Sequence, residues 1–470
     1  MRKLLAAFVV VTLFAPACAT GAADKTGPKI GALSLVKEKP ASIKGPIGER
    51  YVLDNGIVLL VKENHALPVV TVSMIIKAGS VMEPSDKGGL AHLTAGLLTK
   101  GADKMSANDI SEAIDYVGGS LSTGGSTDYA TAKLTVLKKD LDTGFSLLGK
   151  VLTKPAFDQA EVDRLKKAIK AGIMRDEQEP ESVASKAFAK AVYGADNPYG
   201  RPVEGTVESI DKITKDDIKA FHDKYYAPNN CIMAVVGEIS AAEAKKLISV
   251  YLKEWPKKEV AAPVIPPTPQ PNGVQMILID RDITQANILM GHPGVNRENP
   301  DYYKLYVMNY ILGGGGFASR ILDKVRDDMG LAYSAYSYFN ANKYQGSYMA
   351  GLETKNQSAK TAIDETLKII ENIRKEPVTD KELQDAKDYI TGSFPRKMDT
   401  NSKIAELLTQ VEFYNIGLNY FEMYEREITK VTKEDVLEAA RKYLHPDNLY
   451  IIEVANLKEA GVKAPEQKQQ

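Results

Sequence analysis

The segment 256–273 reads PKKEVAAPVIPPTPQPNG and holds six prolines. Proline fixes its own φ and has no N–H to donate, so no helix runs through this stretch and an extended spacer is expected. It divides the chain into halves of similar size, and the halves look like copies. Residues 213–237 (ITKDDIKAFHDKYYAPNNCIMAVVG) align without a gap on residues 431–455 (VTKEDVLEAARKYLHPDNLYIIEVA), 218 positions later, with eight of 25 residues identical. Each copy predicts a threonine-capped amphipathic helix, a turn around Pro and Asn, and an apolar strand. Two copies at such a long period indicate duplicated domains rather than a solenoid.

Other local signals fill in the halves. Arg50–Leu53 and Ile57–Val61 flank Asp54-Asn55-Gly56, a hairpin signature, and Val69–Ala78 reads as a further strand. Helices are expected over Gly88–Lys100, Ala107–Val117 and Gln159–Met174, with alternating strand pattern between Ser120 and Leu137. The expected fold is α+β: two homologous domains, each a mostly antiparallel sheet packed with helices. The expected spans are 45–255 and 274–460, joined by the 256–273 linker.

The first residues belong to export rather than to the fold. Met1-Arg2-Lys3 is basic, Leu4–Phe14 is apolar but too short to span a bilayer, and small residues follow at Ala15, Ala17 and Ala19. Residues 1–19 therefore read as a signal peptide, which predicts an exported, periplasmic protein without a transmembrane span. Ala15-Pro16-Ala17-Cys18 is a poor version of a lipoprotein box, so lipid anchoring through Cys18 is the weaker alternative. Formal net charge is −1 for the whole chain, which gives no support for nucleic-acid binding. Cys231 opens an apolar run and reads as a buried small hydrophobe.

Two motifs carry the chemistry. The first, Gly88-Gly89-Leu90-Ala91-His92-Leu93-Thr94-Ala95-Gly96-Leu97-Leu98, resembles the zinc-binding helix of the insulinase family, which includes pitrilysin and the mitochondrial processing peptidases. There the helix bears H-x-x-E-H, two histidines one turn apart for zinc and a glutamate for the metal-bound water. Here His92 fills the first histidine position, Ala95 replaces the glutamate and Gly96 the second histidine. The family's third ligand falls at Gly172, or at Ala171 if the alignment slips by one. One ligand of three remains, so no metal is expected in this chain. His65, His222, His292 and His445 have no second His or Cys at ligand spacing, and structural roles are expected for His222 and His445.

The second motif is intact. Leu312-Gly313-Gly314-Gly315-Gly316-Phe317-Ala318-Ser319-Arg320-Ile321-Leu322, then Arg326 and Gly330-Leu331-Ala332-Tyr333, resembles the family's second-domain signature. Four glycines before a helix could cradle phosphate, but no Gly-Lys-Ser/Thr and no dinucleotide fingerprint follows. In the family an arginine and a tyrosine at these places reach toward the substrate, and the resemblance assigns that role to Arg326 and Tyr333. Ser126–Tyr129, Asn197–Pro202 and Tyr226–Asn230 also match family segments, and the resemblance runs over about residues 45–455.

Some bacterial members of this family pair a zinc-bearing chain with one that keeps only the Arg/Tyr pair. The resemblance therefore implies a non-zinc-binding subunit, inactive alone. It would bind extended peptide, with zinc held by a homologous partner subunit. The alternative is a non-catalytic scaffold or peptide-binding protein of the same fold.

Overall fold

The computed structural model describes residues 45–462. The expected signal peptide over 1–19 and Cys18 lie outside the described residues.

Two sheets form, one from each side of the proline-rich segment. The first holds β1 (Glu49–Val52), β2 (Val58–Glu63), β3 (Val69–Ile76), β4 (Ser120–Gly125), β5 (Ala130–Leu137) and β6 (Cys231–Gly237). Their order is β1-β2-β6-β3-β5-β4. The second holds β7 (Val274–Asp280), β8 (Gln285–Gly294), β9 (Ala332–Ala341), β10 (Gly346–Lys355) and β11 (Leu449–Ala455), in the order β7-β11-β8-β10-β9. Each sheet has a single parallel pair, β2 with β6 and β7 with β11; every other pairing is antiparallel. The β1–β2 hairpin closes as expected: Gly56 takes φ +91°, its N–H bonding Leu53 O at 2.8 Å.

The repeat seen in the sequence recurs as structure. Helix Lys215–Tyr225 and strand β6 map onto helix Lys433–Tyr443 and strand β11 at the same offset, since 433 − 215 and 449 − 231 both equal 218. Both helices start with a reciprocal cap, Thr214 with Asp217 and Thr432 with Asp435. Both strands are buried along their whole length, because each lies between two neighbours with helices over both faces.

What covers those faces crosses between the halves. Along β6, Met233 and Val235 face the first-half helices, while Ile232, Ala234 and Val236 share a core with Ala405, Leu408 and Val411. Those three belong to helix Asn401–Phe413 of the second half, which lies against β3 and β6. Reciprocally, helix Pro180–Tyr193 of the first half lies on β8 and β11, packing Ala184, Phe188 and Val192 against Leu289, Ile452 and Val454. The two exchanged helices are counterparts, starting 401 − 180 = 221 residues apart.

The proline-rich segment has no helix or strand before Val274, but it is not a free tether. Asn229 grips Lys258 through both its amide atoms, donating to Lys258 O at 2.7 Å and accepting from Lys258 N at 3.0 Å. Pro266 O accepts from Asn197 Nδ2 at 2.9 Å and from Gln345 Nε2 at 2.7 Å, residues from opposite halves. The halves also meet through Asp128, at the tip of the β4–β5 hairpin. It accepts from Tyr199 Oη and from Lys343 N in the β9–β10 turn. Among the described residues no helix is long and apolar enough to cross a membrane.

Candidate functional site

The first candidate region is the helix Leu90–Leu97, between edge strand β4 and helix Gln159–Asp176. Its N-terminus is held by Glu83, which accepts from Gly89 N at 3.2 Å and from Ala91 N at 2.6 Å. Burial pushes the Glu83 carboxyl up to about 8, although both N–H groups and nearby Arg201 favour its charged form. His92 is half-buried, and its Nδ1 has no hydrogen-bond partner among the described residues. Ala95 is 0% exposed, and its carbonyl accepts from Thr123 Oγ1 at 2.7 Å. A Cβ at Gly96 would come within 3.0 Å of Leu165 Cδ2.

So the position expected for a glutamate is a core alanine. The position expected for a second histidine packs against a leucine. At Gly172 an added Cβ would meet nothing nearer than Arg175 Nη2 at 4.0 Å, and Ala171 is exposed. A tetrahedral zinc site takes three protein ligands plus water. His92 alone does not fit that need. Among the described residues, no group of three or more His, Cys, Asp or Glu is arranged to hold a metal ion.

The other histidines have structural surroundings. His222 is buried, donates from Nε2 to Leu152 O at 2.9 Å and stacks on Tyr226 at 4.8 Å; burial lowers its pKa. His292 Nδ1 bonds Pro293 O at 2.8 Å and its Nε2 accepts from His445 N at 3.2 Å. These partners select the neutral Nδ1–H form, and burial takes the ring down to about 4. His65 is exposed, 3.0 Å from Glu238 and 3.5 Å from Glu63. Cys231 is buried, as expected, and burial raises its thiol pKa.

The second region runs from Tyr310 to Tyr333. A regular helix following a glycine loop is the sequence expectation; the structure is more broken. Tyr310–Gly314 and Asp323–Asp328 are wound as π turns, with i→i+5 bonds Gly315 N to Tyr310 O at 2.8 Å and Met329 N to Lys324 O at 3.2 Å. Only Arg320–Leu322 is α-helical. The glycines allow close approach: a Cβ on Gly313 would lie 2.3 Å from Ser337 Oγ on β9. Buried Asn309 bonds Ser337 twice there, donating to its O at 2.9 Å and accepting from its Oγ at 2.8 Å. π turns are uncommon and recur at functional sites.

Arg326 sits in the second π turn, its side chain 39% exposed. Its neighbours are Asp327, 3.8 Å away, and the ring of Phe317, 4.8 Å away. Tyr333 lies on β9, the outer strand of its sheet, and is 68% exposed. Register explains why. Glu353 pairs with Ser334 and Thr354 with Ala332, so Tyr333 is an extra residue with no partner on β10. Such a bulge re-aims a side chain. The exposed guanidinium and phenol can both donate hydrogen bonds to a ligand's carbonyl oxygens.

Within the chain, the two regions belong to different sheets, and neither Arg326 nor Tyr333 hydrogen-bonds to His92. Sequence reasoning missed the supports: Glu83 under the first region, Asn309–Ser337 and an Arg320–Glu382 pair under the second. A Thr379-x-x-Glu382 capping pattern is present in the sequence, but it does not point to Arg320.

Comparison with known proteins agrees with this arrangement. Residues 58–207 match the family model described as insulinase (peptidase family M16), and residues 212–390 match the model described as peptidase M16 inactive domain. A Streptomyces coelicolor protein called an uncharacterized zinc protease is 29% identical over 418 residues, covering 86% of this chain and 89% of that one. A Helicobacter pylori protein called a non-peptidase homolog is 26% identical over 403 residues, 85% of this chain and 92% of its own. The crystal structure of a peptidase M16 inactive domain from Pseudomonas fluorescens superposes with a TM-score of 0.82 at 29% identity, over 87% of this chain and 98% of that one. A protease from Helicobacter pylori, 20% identical, shares the fold with a TM-score of 0.81 over 87% of this chain and 99% of that one. The chain belongs to the insulinase family of peptidases, in a form whose described residues contain no metal-binding cluster.

Proposed function

We propose that this chain is the zinc-less subunit of a two-chain peptidase and supplies substrate-binding residues to a homologous, zinc-bearing partner. One observation carries the reading. Ala95 is buried in the core and Gly96 packs against Leu165, while Arg326 and Tyr333 stand exposed on the other half without a side-chain hydrogen bond among the described residues. A purely structural arginine and tyrosine would not need an open surface, or a bulge to reach it. The family model matching residues 212–390 is that of an inactive domain, and a relative of similar length is called a non-peptidase homolog.

The division of labour follows from the chemistry. The partner's zinc would supply an activated water. Arg326 and Tyr333 would donate hydrogen bonds to carbonyl oxygens of an extended peptide, placing the chain and favouring the negative charge that grows as a carbonyl is attacked. Peptide would enter as an added strand on a sheet edge, read through its backbone, which favours unfolded substrates. The reading includes export, on the strength of the signal-like residues 1–19.

The test is reconstitution. The purified chain alone should cleave no peptide and retain no stoichiometric zinc. Mixed with an H-x-x-E-H homologue from the same genome, it should restore chelator-sensitive cleavage of unfolded peptides. Chelator-sensitive hydrolysis by the chain alone overturns the proposal. Peptide binding without turnover in every mixture favours the scaffold.

A further inference from the structure

The broken winding around Arg326 raises a question of control. A π turn is an uncommon winding that breaks the regular helix, and Arg326 has no strong partner of its own. Something else must set where its guanidinium points. One side of the segment is fixed by burial of Ile321, Leu322 and Val325 in the core. The other is fixed by Arg320, the first residue of the short helical turn.

Arg320 meets Glu382 through two parallel bonds, Nε to Oε1 at 2.6 Å and Nη2 to Oε2 at 2.9 Å. A fork-to-fork pair restricts rotation as well as distance. The same carboxylate accepts from Thr379 N at 2.8 Å and from Thr379 Oγ1 at 2.9 Å, capping helix Asp380–Ser393. Both side chains are about a quarter exposed, 25% and 28%, so water screens the pair only in part. Four donors thus converge on one carboxylate. It ties the first turn of a regular helix to the irregular segment that carries Arg326.

We propose that Glu382 is a positioning residue for Arg326: by clamping Arg320 it fixes the rotation of residues 320–328, and with it the direction of the Arg326 guanidinium. The proposal rests on the reading of Arg326 given above. Burial works against the charge on Glu382, but Arg320 and Thr379 more than offset it and hold the carboxyl at about 2. The clamp therefore stays ionised, and its effect should not vary with pH over the ordinary working range.

A double-mutant cycle separates positioning from mere stability. Glu382→Gln keeps a capping side chain at the third helical position but loses the charged fork. In the chain reconstituted with its zinc-bearing homologue and assayed on a quenched fluorogenic unfolded peptide, E382Q should lower kcat on the order of tenfold or more. Amide hydrogen exchange over residues 320–331 of the free chain should speed up while the rest of the molecule is unchanged. Above all, E382Q should add almost nothing once Arg326 is already alanine, because coupled residues are non-additive. If R326A slows turnover and E382Q either has no effect or slows R326A equally further, the positioning role is overturned while the reading of Arg326 stands. If R326A has no effect, that reading fails and the proposal falls with it.

Discussion

At the repeat offset of 218, helix Leu90–Leu97 falls on residues 308–315, where the glycine-rich turn begins. The same place in two copies of one fold has been treated in different ways. In the first half it is a regular helix with Leu90, Leu93, Ala95 and Leu97 buried. In the second it is the end of helix Tyr302–Asn309 running into the Tyr310–Gly314 π turn, followed by an exposed Phe317 and leading to an exposed arginine and tyrosine. Both places are packed, Met308, Ile311 and Leu312 being buried in the second, and the copies part only beyond it, where Phe317, Arg326 and Tyr333 reach the surface. Loss of ligands in one copy is therefore a local packing event and does not mean that the molecule as a whole has lost its chemistry.

That contrast makes a sharp demand: changes in the first region should alter stability and leave peptide handling alone, and changes in the second should do the reverse. The largest effect is expected from Ala95→Glu. A carboxylate placed at a fully buried alanine should destabilise the chain by about 3–5 kcal/mol, read as a lower urea midpoint. An unchanged midpoint would mean that the helix face is open and the old site merely empty. Next comes Arg326→Ala. Removing one charge-stabilising donor should slow turnover by the reconstituted pair about a hundredfold, with heterodimer formation intact and the urea midpoint shifted by less than about 0.5 kcal/mol. Loss of assembly would move Arg326 into the structural framework.

A third test concerns Glu83, whose carboxyl lies at about 8 in the folded chain against an ordinary 4.5. A raised folded-state pKa means that stability is full below about pH 4.5 and declines as pH rises through about 8. Glu83→Gln should flatten the pH dependence of the unfolding midpoint over that window. Stability that instead rises across it would show that the two helix N–H donors and Arg201 outweigh burial.

Much of this contrast was legible in the sequence, because it depends on residue identity and spacing. Alanine and glycine have no side-chain atom that can replace a glutamate or a histidine, so the loss at Ala95 and Gly96 is read from residue identity alone. Threonine caps and apolar periodicity placed the repeated helix and strand, and the offset of 218 holds for both. The gaps in the reading have a physical cause. Periodicity shows which face of a helix is apolar but not which sheet it meets, so nothing in residues 180–193 or 401–413 announced that they cross to the opposite half. Six prolines predicted an extended segment but not its bonds to Asn197, Asn229 and Gln345. The bulge at Tyr333 depends on cross-strand register, and the Arg320–Glu382 pair joins residues 62 positions apart. Neither can be seen along a single strand of text.

The exchanged helices bear on how such a molecule could arise. If each sheet were roofed by its own helix, two copies could have been joined by chance and later parted. Here each roof belongs to the other copy, as in a swapped dimer of a smaller ancestor whose subunits were fused end to end. Cutting the chain within 256–273 would leave two fragments, each with a bare apolar sheet face and a homeless helix. The gene has a natural midpoint; the folded protein does not.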